Sequence, residues 1–246
     1  MTYLQFLGLF LLLPISALLF RGPRPDRLEW AGMGLMALIA LVYTTPWDNY
    51  LVASGIWSYG EGRVIATIGF VPVEEYAFFI LQPILVALWA RRVMRPAAFA
   101  PVQARASVRI AGAGFWLAVT VAGVTLLSGE SRYLGLLLTW AGPPLAIQWA
   151  YGGDWMLARA STLIPIVAGP TIFLWLADRL ALALGIWEIN VSVGAVLGLP
   201  IEEALFFLLT TMLVAQGYLL VLPVFREGRI SPRPIDVAAK AQPVGV

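Results

Sequence analysis

Cysteine and histidine are absent from the 246 residues, and lysine occurs once, at Lys240. Without cysteine there is no disulfide, no thiol nucleophile and no Cys-ligated zinc or iron–sulfur centre. Without histidine the commonest metal ligand and the usual neutral-pH base are missing, which excludes a Ser–His–Asp triad and a His-held haem. A single lysine in the tail also excludes a seven-helix retinal protein with a Schiff-base lysine in its last span. Charge is scarce too. Charged residues make up 12% and hydrophobic residues 60%, where soluble domains carry about 25% and 45–50%. Such a chain cannot be wrapped into a water-soluble globule and reads as an integral membrane protein. Proton or cation chemistry must then fall to carboxylates, aromatics and arginine.

Apolar runs of spanning length occur at Tyr3–Phe20, Leu28–Thr45, Ile68–Ala90, Ile110–Ser128, Tyr133–Tyr151, Ser161–Ala177 and Gly194–Val221. They predict an all-α fold of seven transmembrane helices. Pro143 and Pro144 interrupt the fifth run, and Pro165, Gly169 and Pro170 the sixth. Such breaks are tolerated where the backbone faces protein or a cavity; simple kinks without function are the plainer reading. The first run is not a cleavable signal peptide, because its basic residues Arg21, Arg24 and Arg27 follow the apolar stretch instead of preceding it.

Basic residues divide unequally between alternate loops. One side holds Arg21, Arg24, Arg27, Arg91, Arg92, Arg95, Arg105, Arg109, Arg159, Arg226, Arg229, Arg233 and Lys240; the other holds Arg63, Arg132 and Arg179. Thirteen against three is a positive-inside signal, which predicts an extracytoplasmic N-terminus and a cytoplasmic C-terminus. A nucleic-acid patch is the competing reading, but these arginines flank membrane spans, so no nucleic-acid partner is expected.

Two stretches repeat each other. Asp48 is followed after six residues by Gly55-Ile56-Trp57, and Asp178 after six by Gly185-Ile186-Trp187. Beyond them lie Pro72-Val73-Glu74-Glu75-Tyr76-Ala77-Phe78-Phe79 and Pro200-Ile201-Glu202-Glu203-Ala204-Leu205-Phe206-Phe207. The copies are four spans apart, an even number, so they face the same way as a parallel three-helix repeat. This divides the chain into a first three-span unit (1–95), a basic loop and connecting span (96–130), a second three-span unit (131–225) and a cytoplasmic tail (226–246). Both D-x6-G-I-W segments are expected in extracytoplasmic loops, with the Glu pairs roughly two turns into spans three and seven.

A charge near the centre of a span costs about 2.5–3.5 kcal/mol even on a lenient scale, so four glutamates at matched positions call for an explanation. Adjacent helical residues point about 100° apart. One Glu of each pair can face the bundle interior while the other reaches a polar partner. Paired carboxylates in unlike surroundings provide an acid and a base, and Phe78, Phe79, Phe206 and Phe207 beside them could stabilise a cation. Blander readings stand alongside: helix caps or braces for the glutamates, core packing for the phenylalanines, interfacial anchors for Trp57 and Trp187, loop braces for Asp48 and Asp178.

The segment Pro46-Trp47-Asp48-Asn49, the Gly-Ile-Trp triplets and the doubled P-x-E-E-x-x-F-F motif resemble the flavin-independent lycopene cyclase domain family. Its members include the two-subunit cyclases of some bacteria and the cyclase half of bifunctional fungal carotenoid enzymes. The resemblance runs from about Tyr3 to Val221, with both halves in one chain. It departs at Arg179, which stands where the first copy has Asn49. The resemblance implies cyclisation of lycopene to β-ionone rings, with Glu74, Glu75, Glu202 and Glu203 as acid–base groups. Around them Asp48, Asn49, Asp178, Trp57, Trp187 and the four phenylalanines would hold substrate or stabilise the cation. No metal, flavin or nicotinamide is implied, and no G-x-G-x-x-G motif occurs. A carotenoid hydratase and a proton-coupled transporter remain the alternatives at this level, since parallel repeats and intramembrane carboxylates also describe carriers.

Overall fold

A computed structural model describes residues 1–94 and 103–227. Arg95, Arg229, Arg233, Lys240 and nearly all of the expected tail lie outside the described residues. Among the described residues, seven long helices follow the seven apolar runs: α1 (Tyr3–Phe20), α2 (Arg27–Ala53), α3 (Val73–Val93), α4 (Ala106–Thr125), α5 (Arg132–Ala158), α6 (Ala160–Ala183) and α7 (Ile201–Glu227). The chain is an all-α integral membrane protein. Six of the seven helices are long and apolar enough to cross a membrane; α5 falls short, its apolar character diluted by Gln148, Asp154 and four glycines.

Local chemistry sets the ends. Thr2 and Gln5 close a capping box on α1, and Asp26 and Glu29 close another on α2. Three short antiparallel ribbons fill the connections at one end of the bundle. Strands β2 (Thr67–Ile68) and β3 (Val71–Pro72) form a hairpin before α3; β5 (Ala195–Val196) and β6 (Leu199–Pro200) form another before α7. Strands β1 (Trp57–Tyr59) and β4 (Trp187–Ile189) pair with each other, Ser58 opposite Glu188, and so tie the α2–α3 connection to the α6–α7 connection.

Two expectations change here. Helices α3 and α7 begin at Val73 and Ile201, later than the apolar runs, because the preceding residues turn back in hairpins. Glu74, Glu75, Glu202 and Glu203 therefore occupy first helical turns, not positions two turns deep. Asp48 and Asp178, expected in loops, lie inside α2 and α6; only the Gly-Ile-Trp triplets are outside helices. The proline-interrupted sixth run forms one continuous helix, α6, containing Pro165 and Pro170.

Helices α3 and α7 pack at the centre and bury most of their surface, whereas α4 buries almost none and lies along α5. Glycine permits that approach: a Cβ at Gly142 would strike Thr120. At the end opposite the hairpins, Arg91 pairs with Glu29 at 3.0 Å and Arg226 reaches Glu29 and Asp26 at 3.6 and 3.8 Å, linking α2, α3 and α7.

Candidate active site

Each hairpin delivers a glutamate pair to the start of a central helix. Gly69 (φ 66°) turns the first hairpin, and Leu197 (φ 54°) with Gly198 (φ 78°) turns the second. These left-handed conformations suit glycine and strain Leu197. Pro72 ends its ribbon at the N-cap of α3, so the following carboxylates sit where the helix dipole favours negative charge.

Within each pair the two carboxyls diverge. Glu74 Oε1 accepts the Ile65 amide at 2.9 Å; Glu202 accepts the Val193 amide at 2.8 Å and the Ser192 hydroxyl at 2.6 Å. Both reach back to hold the loop before their own hairpin. Glu75 and Glu203 instead face a small internal chamber of about 30 Å³. The Tyr59 hydroxyl donates to Glu75 at 3.0 Å, and Tyr3 lines the chamber beside the same carboxyl. The buried Tyr133 hydroxyl donates to Glu203 at 2.5 Å, within the range of a charge-assisted O–H···O⁻ bond. Burial, reinforced by the nearby Glu75 charge, pushes the Tyr59 phenol well above its ordinary value. It therefore stays a donor.

Asp178 also lines the chamber, with its Oδ1 accepting the Trp187 indole N–H at 2.8 Å. Asp48 is equally buried but lies outside the chamber lining, and neither of its oxygens has a hydrogen-bond partner. Asn49 is not in the chamber. Its Oδ1 accepts the Phe70 amide at 3.0 Å, which fixes the turn at Gly69. In the second copy Arg179 packs under the Gly198 turn, so the residue that breaks the sequence repeat serves the corresponding turn.

Aromatic rings make the remaining walls. Phe78 and Phe207 meet edge-on at 6.2 Å, Trp57 meets Phe206 and Tyr133 edge-on at 5.8 and 5.7 Å, and Trp187 packs on Tyr3 and Phe6. Phe78 and Phe206 also line a second, apolar cavity of about 440 Å³ between α2, α3, α5 and α7. Phe79 lines that cavity but not the chamber. From Phe206 to Phe225 it runs along α7 for about 28 Å at the helical rise. The arrangement is a long apolar slot ending in aromatic rings, with three carboxyls behind them. Among the described residues no group of His, Cys, Asp and Glu side chains is arranged to hold a metal ion.

The repeat motifs do not include Tyr3, Tyr59 or Tyr133. A signal for two of them was present: Tyr3 precedes Asp48, and Tyr133 precedes Asp178, by the same 45 residues. Tyr59 has no such signal, because the second copy has Ile189 at that place.

No family profile and no solved structure matches the chain. It is 42% identical over 228 residues to a lycopene beta-cyclase of Halobacterium salinarum, covering 89% of this chain and 95% of that one. It is 37% identical over 216 residues to a bifunctional lycopene cyclase/phytoene synthase of Arthroderma gypseum, covering 78% of this chain and 36% of that one. The corresponding Aspergillus oryzae protein is 35% identical over 205 residues, with 79% and 35% covered. The chain thus spans nearly all of the archaeal protein and about a third of the fungal ones. With a match of that extent, the chain belongs to the lycopene cyclase family.

Proposed function

We propose that this protein is a lycopene beta-cyclase that closes the linear ends of lycopene into β-ionone rings without net redox change. The observation that carries the reading is the apolar slot that ends at Phe78 and Phe206, with Glu75 and Glu203 in the chamber behind them. A lipid-soluble polyene fits the apolar cavity, and its terminus would reach the carboxyls past Phe78 and Phe206.

In this reading one carboxylic acid protonates C2 of the terminal double bond, leaving a tertiary cation at C1. The C5=C6 π pair attacks C1, the C1–C6 bond forms, and the cation moves to C5. A carboxylate then removes the C6 proton and the C5=C6 bond is restored. Glu75 and Glu203 supply the acid and base, and tyrosine hydroxyls hold one oxygen of each so that the other stays directed inward. The ring faces of Phe78, Phe206 and Phe207 stabilise the passing cation. Glu74 and Glu202 hold the hairpins and act on the reaction through that placement. No cofactor is called for, since protons and π electrons balance within the substrate and the two carboxyls.

The site draws on both halves of the chain, which supports a reading of residues 1–95 and 131–225 as two three-span units joined by the connecting span. The arginine distribution supports an orientation with the hairpin end, and with it the N-terminus, outside the cytoplasm. Expression in a lycopene-accumulating host tests the activity. Extracted pigment should shift from red lycopene to orange-yellow cyclic product, and unchanged lycopene with inserted protein would overturn the reading.

A further inference from the structure

Ring closure takes a proton from one carboxyl and leaves one on another. Before the next closure the proton must travel from the base back to the acid. The chamber is small, buried and walled by aromatic rings, and it contains one carboxyl that the ring-closing steps leave unused. Asp178 is fully buried, lines the chamber beside Glu75 and Glu203, and interacts electrostatically with both. The Trp187 indole fixes its Oδ1 at 2.8 Å, and its Oδ2 is buried without a partner. Its counterpart Asp48 lies outside the chamber lining, so the two copies of one motif differ at this point.

We infer that Asp178 is a proton-relay residue that returns the proton within the chamber between turnovers. The inference rests on the cyclase reading. After closure, the O–H bond on the protonated base breaks and one forms on Asp178 Oδ2. That bond then breaks in turn as the proton passes to the deprotonated acid. Nothing is oxidised or reduced, and no proton needs to enter or leave the protein. Trp187 orients Asp178 for this exchange by occupying the other oxygen.

The test uses full-length protein in lipid vesicles, with lycopene as substrate and Asp178→Asn as the variant. Asn keeps an oxygen for the Trp187 N–H but cannot carry the proton. With enzyme in excess, the variant should form its first ring at close to the wild-type rate. With lycopene in excess, its rate should fall ~10²-fold or more, as for loss of a proton-transfer group. Equal losses in both regimes, or none in either, would overturn the assignment. The isotope content of the product gives an independent reading on unaltered protein. Wild-type enzyme equilibrated in H₂O and diluted into D₂O with excess lycopene should place fewer than one deuterium per ring at C2 over the first turnovers. One full deuterium per ring would mean that solvent resets the acid and would also overturn it. A wild-type protein that forms no ring would instead refute the cyclase reading.

Discussion

At the residue scale the site depends on which oxygen of each carboxyl is occupied. Tyr133 is fully buried and contributes one donor, to Glu203. Tyr133→Phe keeps the ring against Trp57 but leaves a buried carboxyl oxygen without its partner. An orphaned buried polar group costs about 1–3 kcal/mol, so a fall in melting temperature is expected together with slower ring formation. Measuring conversion per inserted molecule separates the two effects. A variant that is less stable but fully active per molecule would show that Tyr133 only braces the bundle. The tyrosines also show where the sequence stops being informative. Tyr3 and Tyr133 open the first and fifth spans, where aromatic residues are ordinary interface anchors. Nothing local marks them as neighbours of the buried carboxyls; only the equal spacing to Asp48 and Asp178 does.

At the scale of elements the two hairpins decide where the glutamates sit. The apolar runs locate all seven helices but misplace the starts of α3 and α7. Ile68, Phe70 and Val71, like Val193, Val196 and Leu199, are as apolar as a helix face. The turn is marked by Gly69 and Gly198 alone, which within an apolar run look like tolerated helix glycines. The hairpins place Glu74 and Glu202 as loop holders, and that role needs hydrogen bonding more than charge. Glu202→Gln keeps an acceptor for the Val193 amide and a polar group beside Ser192. It is expected to retain most of the activity, as is Glu74→Gln. Gly198→Ala places a side chain at φ 78°, a conformation that costs on the order of 1 kcal/mol for a residue with a Cβ, while its methyl would meet Arg179 at ordinary contact distance. Thermal unfolding of that variant should shift downward while the remaining folded protein stays active; an unchanged transition would show that the hairpin tolerates the strain.

For the whole molecule, membrane character follows from composition, and the proposed sidedness rests on where the arginines fall. Of the basic residues assigned to the cytoplasmic side, those in the described segments flank helix ends away from the hairpins, and Arg91 and Arg226 join the ion pairs at that end. A reporter fused after Val246 is therefore expected to be active as a cytoplasmic reporter, and periplasmic activity would contradict the assigned orientation. What composition and periodicity could not reveal is that both halves contribute to one chamber. That depends on β1 pairing with β4, with Tyr59 and Trp187 separated by 127 intervening residues, a contact that neither strand's own sequence specifies.

The central claim is that Glu75 and Glu203 move the protons while Glu74 and Glu202 hold the loops. The direct measurement is cyclised product per inserted molecule for the four single Glu→Gln variants in a lycopene-accumulating host. Glutamine preserves size and hydrogen bonding but cannot exchange the proton, and loss of a general acid or base costs ~10²–10⁴-fold. Glu75→Gln and Glu203→Gln should each abolish both rings, with Glu74→Gln and Glu202→Gln converting at near the wild-type level. Near-wild-type conversion by Glu75→Gln or Glu203→Gln, in protein that still inserts, would contradict the account.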